Sequence, residues 1–198
     1  MNEKWSKDIS EEAEKVLEKL PLDSFYPPRE LVFSMFSMPP ESIKVLIMGQ
    51  DPYPNNMACG PAFVVPRGVV KCPQSLITLF QELKTDIGLS KRDMRSCMNN
   101  WMNQGVFLTN CSLTIGKEND YLKDHSILWT VFTTRFLKSI KGCVVVLLGT
   151  EAWKFDKFVA KENEVLKYYH PTNRSNKFIG SKMFSSINSL LENPISWN

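Results

Sequence analysis

What this chain of 198 residues lacks narrows its chemistry first. Its five cysteines (Cys59, Cys72, Cys97, Cys111 and Cys143) never form a CxxC pair, and it has two histidines, His125 and His170. Zinc and iron–sulfur sites draw on tight Cys/His clusters, so no metal is expected and the thiols read as reduced and mostly buried. No apolar run approaches the roughly 20 residues of a membrane span. The stretch "MNEKWSKDISEEAEKVLEKL" is charged throughout and has no signal-peptide core. An intracellular protein is expected, nuclear or cytoplasmic, not secreted and without a membrane partner. A GxGxxG after the first strand, a GxxxxGKS/T loop and a GxSxG elbow are all missing, which counts against dinucleotide, triphosphate and serine-hydrolase chemistry. Charge of one sign is not in excess either. The 24 basic residues against 21 acidic ones leave +3, too little to announce a polyanionic partner by itself.

What is present is a regular alternation of strand and helix signals. Val45–Met48, Val106–Leu108 and Val144–Leu148 are short apolar runs rich in β-branched residues, and Val165–Tyr169 is a weaker fourth. Helical periodicity fills the intervals. "SLITLFQELKTDIG" starts at a Ser75 cap and stops at Gly88, and "WTVFTTRFLKSIKG" stops at Gly142. "TEAWKFDKFVAKE" and "SKMFSSINSLLEN" read the same way. Strands separated by helices predict an α/β fold with a parallel sheet covered on both faces, in one domain over residues 1–198.

In such a sheet the strand ends converge on one edge, where ligands bind. The first strand ends at Gln50-Asp51, the second at Asn110, the third at Gly149-Thr150, and the fourth runs into His170. An acid, an amide and a histidine are therefore brought together. The loop "GQDPYPNN" adds a second oddity, because Pro52 and Pro54 stiffen the backbone on both sides of Tyr53 where a turn needs one proline at most. Stiffness there suits a carboxylate whose position matters. Further on, "KYYHPTNRSNKFIGSK" carries Lys167, Arg174, Lys177 and Lys182 with no acid, interleaved with Tyr168, Tyr169 and Phe178. Cations mixed with aromatics suit phosphates and bases.

Seven motifs in order, "YPPRELVFSMF", "GQDPY", "CGPAFVVPRGV", "CPQSL", "WMNQGVFLTNCSLT", "HPTNRS" and "NPISW", make the chain resemble the family I uracil-DNA glycosylases over nearly its whole length. The resemblance implies a three-layer α/β/α sandwich around a four-stranded parallel sheet, and removal of uracil from DNA without cofactor or metal. It further implies that Asp51 positions the attacking water and opposes positive charge on the sugar, and that His170 hydrogen-bonds uracil O2. By the same match Asn110 reads the uracil edge, Phe63 stacks on the base, and Tyr53 fills the space of thymine's methyl group. Gln50 belongs to the same pocket loop. Ser75, Thr172 and Ser175 fall where the family grips DNA phosphates, and Gly149-Thr150 falls in a further phosphate loop.

Three positions depart from the family. Pro54 stands where a histidine is usual, Arg174 where a leucine wedge is usual, and "VLLG" lacks the common tryptophan before its glycine. Proline and arginine at these places are similar to the poxvirus-type enzymes, which also act as replication accessory subunits. The partners so implied are single- and double-stranded DNA containing uracil, together with a proteinaceous uracil-DNA glycosylase inhibitor or a replication protein. The alternative implied function is a DNA-binding accessory subunit built on the same fold.

Overall fold

Alternation along the apolar runs decides which side chain enters which layer. The computed structural model describes residues 1–20, 24–88, 94–117 and 122–198. Strands β2 (Val45–Gly49), β3 (Val106–Asn110), β5 (Val144–Leu148) and β6 (Glu164–Tyr168) form one parallel sheet in the order β3-β2-β5-β6. Successive side chains on a strand point to opposite faces. Leu46, Met48, Phe107, Val145 and Leu147 accordingly join one apolar cluster, while Val45, Ile47, Val106, Leu108, Val144 and Val146 join the other. Helices α1 (Lys7–Lys19) and α4 (Leu122–Ser139) cover the first face. Helices α2 (Gln74–Ile87), α3 (Met94–Asn103) and α6 (Met183–Ser189) cover the second. The expected three-layer α/β/α sandwich around four parallel strands is what the chain builds.

Several local expectations change. Ser75 does not cap α2. The helix begins after Pro73, without a side-chain cap, and Ser75 lies buried in its first turn. "TEAWKFDKFVAKE" is not one helix but a single turn, α5 (Thr150–Trp153), followed by a 3₁₀ turn at Asp156–Phe158. The Trp153 indole accounts for the break: it donates to the carbonyls of Leu147 and Tyr168 at 3.1 and 3.2 Å, tying the turn down to the ends of β5 and β6. Tertiary contact here overrides helical periodicity. The charged N-terminal stretch carries an amphipathic helix, α1, that buries Ile9, Ala13 and Val16 at helical spacing. A two-residue antiparallel pair, β1 (Phe25–Tyr26) with β4 (Ile115–Gly116), is too short to leave a pattern in sequence.

Two carboxylates on α2 fasten the C-terminal segment. Glu82, fully buried, accepts the Lys182 N–H at 2.7 Å and the Ser181 hydroxyl at 3.3 Å, and Asp86 accepts the Ser185 N–H at 2.9 Å. A buried carboxylate is tolerated when backbone donors surround it. The segment between β6 and α6 thus hangs from β6 at one end and from α2 at the other. Among the described residues no helix is long and apolar enough to cross a membrane, and no cluster of three or more His, Cys, Asp or Glu could hold a metal ion.

Candidate active site

β2 and β3 end side by side, with Gly49 opposite Asn110. The segments leaving them stay joined, because the Cys111 N–H donates to the Gly49 carbonyl and the Ser112 N–H to the Gln50 carbonyl, both at 3.0 Å. Asp51 and Asn110 are thus fixed to one frame. Gly49 is the floor beneath them: an added Cβ would stand 2.6 Å from Asn110 Oδ1 and 3.1 Å from the Phe63 ring. Phe63 is held in place by a left-handed backbone (φ 64°), rare for a bulky residue. The Ala62 N–H, donating to the Leu108 carbonyl at 3.2 Å, ties that turn to β3.

His170 arrives from β6 and packs on Gly149 (φ 88°), where a Cβ would meet the histidine's own Cβ at 2.9 Å. Its ring centroid lies 6.1 Å from that of Phe63. The Thr172 N–H donates to His170 Nδ1 at 3.3 Å, and the Thr172 hydroxyl sits 2.8 Å from the same atom. An Nδ1 that accepts a hydrogen bond leaves the proton of the neutral ring on Nε2. Burial lowers the His170 pKa, which keeps the ring neutral. Burial acts the other way on Asp51 and raises its carboxyl above the ordinary range, partly opposed by the hydrogen bond that Gln50 Nε2 donates to Oδ2 at 3.1 Å.

These groups meet. Asp51, Tyr53, Pro54, Phe63, Asn110 and His170 all line one cavity of about 170 Å³ at the carboxyl edge of the sheet, together with Ser75 and Thr172. The side chain of Asn110 is 5% exposed and makes no hydrogen bond among the described residues. Its amide opens to the cavity instead of being sealed in the core, so it is available to pair with a ligand edge.

The other expected site residues lie as follows. Gln50 is exposed and lines a different groove, of about 390 Å³, between α4 and α5; its side chain meets the site through Asp51. Ser75 is buried, with its Oγ 2.9 Å from the Tyr53 hydroxyl. Thr150 is exposed at the start of α5, and Arg174 and Ser175 are exposed on the segment after His170. The Ser175 N–H donates to Asn173 Oδ1 at 2.9 Å, closing a local turn. Of the aromatics in the basic stretch, Phe178 is buried in the core and cannot stack on a base. Tyr169 packs edge-on against Trp153 and carries the Lys177 ammonium 5.0 Å from its ring centroid.

Sequence reasoning missed Gly49 and the link from Thr172 to His170. A glycine closing the otherwise bulky run "VLIMG" was the available signal for the first. The second depends on a turn and left none.

A cavity with an aromatic face, an unpaired amide edge, a neutral histidine and a carboxylate defines a site for a planar heterocycle, at the switch edge of a parallel α/β sandwich. The family follows from wider likeness. The model of the uracil DNA glycosylase superfamily matches residues 36–192, and the chain belongs to that superfamily. A uracil-DNA glycosylase of Buchnera aphidicola (subsp. Cinara cedri) is 38% identical over 87% of this chain and 81% of its own, and that of Caenorhabditis elegans is 36% identical over 98% and 77%. Among solved structures, mimivirus uracil-DNA glycosylase superposes with a TM-score of 0.80 at 26% identity, over 96% of this chain and 80% of that one. A variant of the mimivirus protein in complex with UGI gives 0.83 at 25% identity, over 100% and 88%.

Proposed function

We propose that the protein is a monofunctional uracil-DNA glycosylase that hydrolyses the N-glycosidic bond of deoxyuridine in DNA, releasing uracil and leaving an abasic site for repair. The observation that carries this reading is the convergence of Asp51, Phe63, Asn110 and His170 on one cavity. A pocket walled on that scale cannot reach a stacked base, so the nucleotide is flipped out of the strand. Phe63 offers a ring face for stacking. The orphan amide of Asn110 gives its carbonyl to N3–H and its NH₂ to O4; cytosine reverses both polarities and leaves buried groups unpaired.

Bond cleavage puts positive charge on the sugar and negative charge on the departing base. Asp51 as a carboxylate faces the first charge and orients water; the Nε2–H of neutral His170 donates to O2 and faces the second. Thr172, Ser175, Thr150 and Arg174 form the phosphate grip, with Arg174 beside the gap left by the flipped nucleotide. The test is release of uracil from single- and double-stranded oligonucleotides in EDTA, with Asp51→Asn as control. Full activity in chelator with no strand break before alkali is expected; metal-dependent release or direct nicking contradicts the reading.

A second role, as an accessory subunit in a replication complex, is supported by one feature. Ile127 and Val131 on α4 are 70% and 48% exposed beside the groove that Phe155 and Phe158 line. Ile127→Asp should then leave uracil release intact while weakening copurification of replication proteins from the native source. Unchanged copurification removes this role. An inhibitor such as the UGI bound by the mimivirus protein would compete for the DNA-facing edge.

A further inference from the structure

Ser75 sits where its hydroxyl reaches the wall of the pocket. It is 5% exposed, in the first turn of α2, and its Oγ lies 2.9 Å from the Tyr53 hydroxyl. A hydroxyl can accept from one partner while donating to another, so the bond to Tyr53 leaves the expected phosphate contact open and gives Ser75 a second role. For Tyr53 the bond is the one its hydroxyl makes among the described residues. The ring lines the cavity between Pro52 and Pro54 and packs on the apolar cluster beneath. Burial pushes its phenol up to about 12, so it stays a neutral O–H. The far end of the strut is equally firm, since Glu82 and Asp86, farther along α2, are bonded to the segment before and within α6. A hydrogen bond to a helix fastened in this way fixes the tyrosine ring where packing alone would let it tilt.

We infer that Ser75 is a positioning residue for base selection: by holding the Tyr53 hydroxyl it fixes the ring edge that closes the pocket where a substituent on pyrimidine C5 would lie. The inference rests on the reading of the cavity as a uracil pocket. A wall that can swing admits larger 5-substituents, whereas a lost phosphate contact slows every base alike.

The experiment measures release of uracil, 5-fluorouracil and 5-bromouracil from otherwise identical oligonucleotides by the wild type, Ser75→Ala, Ser75→Thr, Tyr53→Phe and the Ser75→Ala/Tyr53→Phe pair. One methylene-sized misfit in a pocket is worth about 10-fold or more. The 5-bromouracil-to-uracil ratio should therefore rise about tenfold in Ser75→Ala and in Tyr53→Phe, and no further in the pair, because both remove one bond. The 5-fluorouracil ratio should stay flat, and Ser75→Thr, which keeps a hydroxyl, should keep the wild-type ratio. Tyr53→Phe retains the ring and tests the same bond should Ser75→Ala fold poorly. A uniform fall across all three bases, or additive ratios in the pair, overturns the inference. Absence of uracil release by the wild type would instead overturn the reading beneath it.

Discussion

The wall that faces the base and the segment that follows His170 are built on different terms. Asn110 and Phe63 are 5% and 6% exposed, one in strand register with β2 and the other next to Ala62, whose N–H is bonded to β3. Arg174, Ser175 and Asn176 lie open on a turn closed by local bonds to Asn173. The first region has no room to adjust and the second has little to hold it. On the proposed function, selection of the base would be carried by the sheet, and selection of the DNA form by the loop. Substitutions in the wall should change what is excised; substitutions in the loop should change from which strand.

The sharpest test of that division is Asp51→Asn. Loss of the fixed charge should cost about 10³-fold in kcat on single and double strands alike. The same change should raise the melting temperature at neutral pH. A carboxyl whose pKa burial has raised stabilises the fold at low pH and loses that contribution as pH rises through the raised pKa, so the ionised form is a burden that asparagine removes. A melting temperature that falls would mean the carboxylate is held by partners rather than penalised. For the same reason the acid limb of kcat/KM should lie above the ordinary carboxylate range. His170 adds no loss on the alkaline side, being already neutral there.

Next in size is Gly49→Ala, which forces Asn110 and Phe63 apart. Displacing such groups by about 1 Å is worth roughly 10²-fold, equal on both DNA forms. A variant with unchanged rates would show that the wall can yield. Asn110→Asp should trade uracil release for weak cytosine release, because the carboxylate can accept from N4–H; no cytosine product from the folded variant would misplace the amide. Smallest is Arg174→Ala, expected to cost about tenfold on duplex and little on single strands, since unstacking a paired base takes a few kcal/mol and a single strand little. It should also flatten the salt dependence of duplex binding. Equal losses on both substrates would reduce Arg174 to one ordinary phosphate contact and erase the contrast between wall and loop.

The sheet was legible in sequence because β2, β3 and β5 are buried on both faces and carry unbroken apolar runs. The strand ends then placed Asp51, Asn110 and His170 on one edge without further information. Ser75 was misread because the helix already starts after Pro73, and the stretch after Thr150 because a distant group decides its structure, the two carbonyls that Trp153 reaches. Gly49 escaped notice since what matters there is an absent atom.

β6, the faintest strand signal, has one more consequence. It is an outer strand of the sheet, with β5 on one side and, among the described residues, no strand on the other, and its Glu164 and Lys167 are exposed. A bare outer strand is a template for a second copy of itself, and charges set along it discourage that growth. By that reasoning the residues that blurred the pattern would act as gatekeepers against self-assembly. Replacing Lys167 with valine would give a cleaner strand motif and also free Asp156 from its 2.7 Å ion pair. Light scattering of the concentrated variant should report the outcome: a sequence that reads better as a strand, and a protein that stays apart from its neighbours less well.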